Sequence, residues 1–214
     1  RIMKESILRF DQRKKYVVFD FETEGLNLIK SRPWQIAWTV YEGKKKIKAN
    51  NKFLAYKDLS VSKGAQKMTR FNERAYRAKA EDLESVWELF SKDFYNEDHK
   101  LVGHNVLGFD VYMVNVWRKL IGLAPDYSFM ERIIDTLCLE RAIQSGAPES
   151  LDIDDFIFWQ YKWLSTRPKG MKASMKACIE KYGLVGDSNK LHDASYDVEK
   201  NFEVFQKQLF ELEI

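Results

Sequence analysis

The chain has 214 residues, 45% hydrophobic and 31% charged, with 35 Lys and Arg against 32 Asp and Glu. That length can bury a large core, the 14% aromatic content excludes disorder, and only 10 Gly with 4 Pro excludes collagen-like and low-complexity chains. A net charge of +3 is too small to identify a polyanion partner, so such an argument rests on where the charges lie.

In chain order, Tyr16-Val17-Val18-Phe19-Asp20 is an apolar, β-branched run that predicts a buried central strand ending in an acid. A second strand is expected over 34–41, and the Glu42-Gly43 step predicts a hairpin into a third strand over 46–56. Beyond Ala80 the spacing of Leu83, Val86, Trp87, Phe90 and Phe94 predicts a helix with one apolar face. Leu101-Val102-Gly103 reads as a short strand, followed by a deeply buried helix over 109–121. Ile133-Ile134-Asp135 predicts another strand, with a helix running on to Ala142. Val198, Phe202, Phe205, Leu209 and Leu212 then mark a long final helix. Hairpin-linked strands followed by strand–helix alternation imply an α/β fold, a mixed sheet covered by helices. There is no repeat and no Gly-, Pro- or Ser-rich linker, so one domain is expected over 1–214, with residues 1–14 as an extension.

The chemistry-bearing residues are acids. Asp20 and Glu22 stand two apart on an extended run and so project from one face. Alone, Asp-x-Glu is most simply a solvated strand end. Asp110 alone would be a helix cap. Asp197 alone would be a dipole-favoured acid in a first helical turn, and His192 alone a surface histidine near that helix start. His104 reads as a packing or structural hydrogen-bonding residue, and His99 as part of a polar loop with no role.

Together these residues form a pattern. Phe19-Asp20-Phe21-Glu22-Thr23-Glu24-Gly25-Leu26, then Gly103-His104-Asn105 with Phe109-Asp110, then His192-Asp193-Ala194-Ser195-Tyr196-Asp197 follow one another along most of the chain. In that order they resemble the three motifs of the DnaQ-like (DEDD) 3′–5′ exonucleases, and Asp135-Thr136-Leu137 resembles a common segment between the second and third. The resemblance implies a ribonuclease-H-like fold with a five-stranded mixed sheet. It implies two divalent cations, Mg²⁺ or Mn²⁺, held by Asp20, Glu22, Asp110 and Asp197. Asp20 would bridge both, Glu22 and Asp197 would complete the site that activates water, and Asp110 would hold the second. Such hard cations take oxygen ligands, and the sequence offers no Cys/His cluster for zinc. By the same resemblance His192 is the general base. The Tyr-dependent branch has Tyr where Asp193 stands here, which places the chain in the His-type (DEDDh) branch. Thr23, Leu26, Asn105 and Phe109 would meet the substrate, with Leu26 against the terminal base. Glu24 departs from the pattern, since many relatives have Thr there, and an extra acid beside a phosphate site would weaken substrate binding.

The implied partner is the 3′ end of a single-stranded nucleic acid, DNA first and RNA as the alternative. A binding or interaction module that keeps the fold is the reading from another class. Two segments concentrate positive charge: Lys63, Lys67, Arg70, Arg74, Arg77 and Lys79, interleaved with Met68, Phe71 and Tyr76, and then Arg167, Lys169, Lys172 and Lys176. Each is either a solvated face or a phosphate contact backed by base-stacking aromatics. The aromatic run over 156–163 is core by default and a protein contact otherwise, and the preceding Asp152, Asp154 and Asp155 disfavour a phosphate groove there. No apolar run approaches the roughly 20 residues of a membrane span. Residues 1–10 lack the apolar stretch of a signal peptide, and the chain opens on Arg rather than Met, as if a short leader had been removed. Cys138 and Cys178 lie far apart, without metal-type spacing, which points to a reducing, intracellular (cytoplasmic) setting.

Overall fold

The computed structural model describes residues 7–146 and 155–212. Its strands are β1 (Lys15–Thr23), β2 (Pro33–Glu42), β3 (Lys45–Leu54), β4 (Ala80–Glu81), β5 (His99–Gly103) and β6 (Ile133–Asp135), in the sheet order β4-β3-β2-β1-β5-β6. Its helices are α1 (Lys63–Thr69), α2 (Glu73–Lys79), α3 (Leu83–Phe94), α4 (Asp110–Leu120), α5 (Thr136–Gln144), α6 (Phe156–Ser165), α7 (Met175–Lys181) and α8 (Ala194–Glu211). β1 pairs antiparallel with β2 and parallel with β5, so the sheet is mixed and the α/β expectation holds. The sheet has six strands rather than five. The extra one is the edge strand β4, which pairs with Phe53 and Leu54 and is too short to show any alternation in sequence.

The two-residue period of β1 divides the protein into layers. Val17, Phe19 and Phe21 face the larger core, where they meet Val86, Phe90 and Phe94 of α3 and Met113, Val114 and Trp117 of α4. Tyr16 and Val18 face the other side and pack with Phe202, Phe205 and Leu209 of α8. Asp20 and Glu22 continue that second set, so their side chains fall on the α8 side at the strand's C-terminal end. Helix α4 is buried through Trp117, but its last turn emerges at Lys119 and Leu120.

Two local expectations change, and the core reading of the aromatic run holds except at one residue. His99 is no loop residue: it opens β5, is buried, and its Nδ1 lies 2.8 Å from the Asp93 carbonyl oxygen. Tyr76 cannot stack on a base, because it is buried against Trp34 and its hydroxyl donates to the Leu54 carbonyl. In the aromatic run, Trp163 is buried and Ile157, Trp159, Tyr161 and Leu164 pack on the larger core, whereas Phe158 is 73% exposed. Asp152 and Asp154 lie outside the described residues. Among the described residues, no helix is long and apolar enough to cross a membrane.

Candidate active site

The ladder between β1 and β5 ends at the Val18–Val102 pair. Beyond it, β1 has no strand neighbour on that side, and the Phe21 amide would be left without an acceptor. Asp110 fills the gap: its Oδ1 accepts from Phe21 N at 3.0 Å. The first residue of α4 is thereby tied to the segment between Asp20 and Glu22. On the other flank, the pairing of β1 with β2 shifts register between Glu22 and Thr23. An irregularity of this kind re-aims the side chains at a strand end.

Asp197 lies in the first turn of α8, which is capped by the Asp193 side chain accepting from Tyr196 N. Asp197 Oδ2 accepts from His192 N at 2.9 Å. This bond closes a loop in which His192 adopts a left-handed backbone conformation, φ 67°. Such a conformation is costly for a side chain with a Cβ and needs support of this kind. One ligand atom from each of Glu22, His192 and Asp197 lies within 4.8 Å of the others.

Burial and mutual repulsion act on the whole cluster. Burial pushes Asp20 well above the usual carboxylate range, with Glu22, Asp110, Asp197 and Asp193 adding to the effect. Glu22 is pushed up to about 9 by burial, then by Asp197 and Asp110. Burial pushes Asp110 and Asp197 up to about 7, partly opposed by the Phe21 and His192 amides that bond them. Asp197 Oδ1 is buried and accepts no hydrogen bond among the described residues. A set of crowded carboxylate oxygens, one of them unpartnered, fits hard divalent cations, whose charge would reverse these shifts. His192 behaves oppositely: burial, and then the charge of Arg70, hold its imidazole below the usual histidine range.

Asp20, Glu22, Asp110, Asp197 and His192 line one cleft of about 560 Å³, together with Thr23, Leu26, Asn105 and Phe109. Leu26 is 85% exposed at its rim, while the Thr23 hydroxyl donates to the Gly25 carbonyl at 2.6 Å. His104 also lines the cleft. Its Nδ1 lies 2.9 Å from Thr136 Oγ1, in keeping with the structural hydrogen bond expected of it, and burial depresses it to about 4. The basic segments form walls through their small and apolar residues: Gly64, Ala65 and Met68 from one, Ser174 and Met175 from the other. Of their cations, Arg70 lines an adjoining groove with His192.

Glu24 overturns the expected interference with phosphate. It is buried away from the cleft, and its carboxylate is gripped by Arg32 through Nη2 at 2.6 Å and Nε at 3.0 Å, with Ser60 N and Arg32 N also donating. Burial raises the Glu24 pKa, but the Arg32 and amide bonds outweigh it and leave the group below its ordinary value. The pair's stabilisation is therefore present above the ordinary Glu range, near 4.5, and lost as pH falls through the depressed folded-state value. Arg32→Ala is expected to destabilise the protein by about 2 kcal/mol at neutral pH, less than a fully buried pair because Arg32 keeps some solvent. Urea unfolding at pH 7 and pH 3 checks this, since the difference should shrink at the lower pH.

Asp135 is a residue whose role the sequence did not disclose. It is fully buried and accepts from three amides: Asn105 N at 2.8 Å, Leu107 N at 3.0 Å and Leu137 N at 2.9 Å. Only the last of these, the helix-cap bond to α5, has a local sequence signal.

The exonuclease family RNase_T matches residues 17–205. No curated protein sequence matches the chain. Among solved structures, the chain is similar to E. coli exonuclease I with a dA16 oligonucleotide, at 18% identity and TM-score 0.71, covering 93% of this chain and 42% of that one. It is similar to the zinc-bound E. coli exonuclease I–ssDNA complex, at 18% and 0.69, covering 92% and 40%. It is also similar to exonuclease I in an SSB-Ct complex, at 16% and 0.69, covering 94% and 42%. The chain thus spans about two fifths of the length of these proteins, and the likeness is one of fold. With the family matched from β1 into α8 and the ribonuclease-H-like sheet in place, the chain belongs to the RNase_T, DnaQ-like family of exonucleases.

Proposed function

We propose that the chain is one metal-dependent exonuclease domain that removes nucleoside monophosphates stepwise from the 3′ end of single-stranded nucleic acid, with DNA as the preferred substrate. The observation that carries this reading is the meeting of Asp20, Glu22, Asp110, Asp197 and His192 in one cleft, although they come from three distant stretches of sequence. The four carboxylates would hold two cations, Mg²⁺ or Mn²⁺. Asp20, on the same face of β1 as Glu22, would contribute to holding both, as the family resemblance implies. When bound, such cations neutralise the scissile phosphate, lower the pKa of water and stabilise the departing oxygen.

The protein's own residues do the rest. Neutral His192 accepts the proton of the attacking water, and the His192–Asp197 bond fixes its place beside the acids. Asp110, anchored to the Phe21 amide, keeps α4 at a fixed distance from β1. Leu26 offers an apolar surface to the terminal base, and Asn105 and Phe109 line the same cleft.

DNA is placed first because the similar exonuclease I structures carry ssDNA or dA16. RNA trimming is the alternative, and matched strands of the two kinds decide it through kcat/KM. A protein partner at 156–163 would be met chiefly by Phe158. Cys138 and Cys178, both buried and free, suit an intracellular setting. Polarity is tested with end-blocked strands. A 3′-terminal inverted nucleotide should stop degradation and a 5′-terminal one should not, and the reverse pattern would refute the proposed direction.

A further inference from the structure

Helix α4 begins without a side-chain cap, on Phe109 at φ −147°, ψ −67°. Before it come a left-handed Asn105 (φ 60°) and the short 3₁₀ turn Val106–Gly108. The loop's own bonds are short-range backbone ones, Gly108 N to the Asn105 carbonyl at 3.2 Å and Phe109 N to the Val106 carbonyl at 3.3 Å. Its support comes from the next strand: the two oxygens of Asp135 take the amides of Asn105 and Leu107.

Asp135 is itself held from outside the sheet. β6 is an edge strand, so its outer N–H and C=O groups have no strand to pair with. Gln160 of α6 replaces that strand. Its Oε1 accepts from Asp135 N at 2.7 Å and its Nε2 donates to the Ile133 carbonyl at 2.9 Å, with the side chain fully buried. A side-chain amide has one acceptor and one donor end, the pair a strand edge requires. The polar residue inside the aromatic run thus occupies the β6 edge of the sheet.

We propose that Gln160 and Asp135 form a clamp that positions Asp110, running from α6 through β6 and the 105–109 loop to the acid opposite Asp20. Both are positioning residues: neither lines the cleft, and they act through where Asp110 stands. This inference rests on the proposed metal-dependent reading, which it deepens by naming what sets the second cation's site.

The test uses Asp135→Asn and Gln160→Met in the full chain. In Asp135→Asn the amide can still accept, but its NH₂ end opposes an amide N–H. In Gln160→Met the volume stays and both edge bonds are lost. Either change should weaken Mn²⁺ binding, read by calorimetric titration into the full chain, and lower kcat with Mn²⁺ by about 10–100-fold, the usual scale for groups that orient metal ligands. KM for an oligonucleotide should move little. Gln160→Glu, which turns an oxygen instead of a donor toward the Ile133 carbonyl and buries a charge, should lose at least as much as Gln160→Met. Val86→Ala in the larger core serves as the control for stability alone: similar softening there should leave kcat and Mn²⁺ affinity unchanged. Wild-type Mn²⁺ binding and kcat in either folded variant would overturn the clamp. Should Asp135→Asn not fold, Gln160→Met decides alone. If the wild-type chain shows no metal-dependent cleavage, the proposed function fails, whereas an active wild type with active variants defeats only this inference.

Discussion

Asp20→Ala is expected to abolish metal-dependent hydrolysis and, in the metal-free protein near pH 8, to raise Tm by a few degrees. Both effects have one cause. Asp20 sits where burial and its neighbouring acids make the charged form costly, so ionising the cluster without a counter-ion opposes folding. The sign follows from the direction of the shifts. An acid whose folded-state pKa is raised stabilises the fold fully below the unfolded-state value and loses that contribution as pH rises through the folded-state value. For this cluster the loss runs from about pH 4 up through the values near 7 for Asp110 and Asp197 and near 9 for Glu22. Metal-free wild type should therefore lose stability across that window, and Asp20→Ala should lose less. Mn²⁺ should restore the wild type and leave the variant almost unmoved. Thermal melts at pH 5 and pH 8, with and without Mn²⁺, check all four statements. A variant that cleaves, or that gains from Mn²⁺ as the wild type does, would remove Asp20 from the metal set.

His192→Ala should lower kcat by roughly 10²–10⁴-fold, the range for loss of a general base, while Mn²⁺ affinity stays nearly that of the wild type. The pairing of results matters because His192 stands within ligand distance of Glu22 and Asp197. A base and a ligand predict different outcomes, and loss of Mn²⁺ binding in the variant would make it a ligand. The pH dependence gives a second check. Burial and Arg70 hold the imidazole below its ordinary value of 6.5, so the acidic limb of the wild-type kcat profile should lie below that point. That limb should vanish in His192→Ala. Arg70→Ala should move it towards higher pH, because one of the two causes of the depression is gone.

The parts of the site that the sequence discloses are those whose geometry is local. Asp20 and Glu22 share a face because a strand has a period of two, and the alternation of Phe19 and Phe21 against them is visible in the run itself. The apolar stripe of α8 is equally local, with Asp197 in its first turn. Asp110 and His192 carry no such signal by themselves, and only the joint spacing of three motifs relates them to Asp20. Where the sequence misleads, the cause is a partner from elsewhere in the chain. Glu24 looks like a stray acid beside a phosphate site until Arg32 and the Ser60 amide close on it. Tyr76 looks like a stacking residue until Trp34 buries it. Asp135 and Gln160 act through backbone amides and carbonyls 25 to 30 residues away, and backbone groups leave no mark in a sequence. β4 escapes for a simpler reason: two residues cannot display a period.

The most direct test of the account follows a single strand labelled at its 5′ end as the chain acts on it. With Mg²⁺ or Mn²⁺, the label should move down a ladder that shortens one nucleotide at a time, with nucleoside monophosphates as the other product. A chelator should stop it. Cleavage that persists in the chelator, or internal cuts that release a labelled fragment in one step, would contradict a metal-dependent exonuclease built on Asp20, Glu22, Asp110 and Asp197.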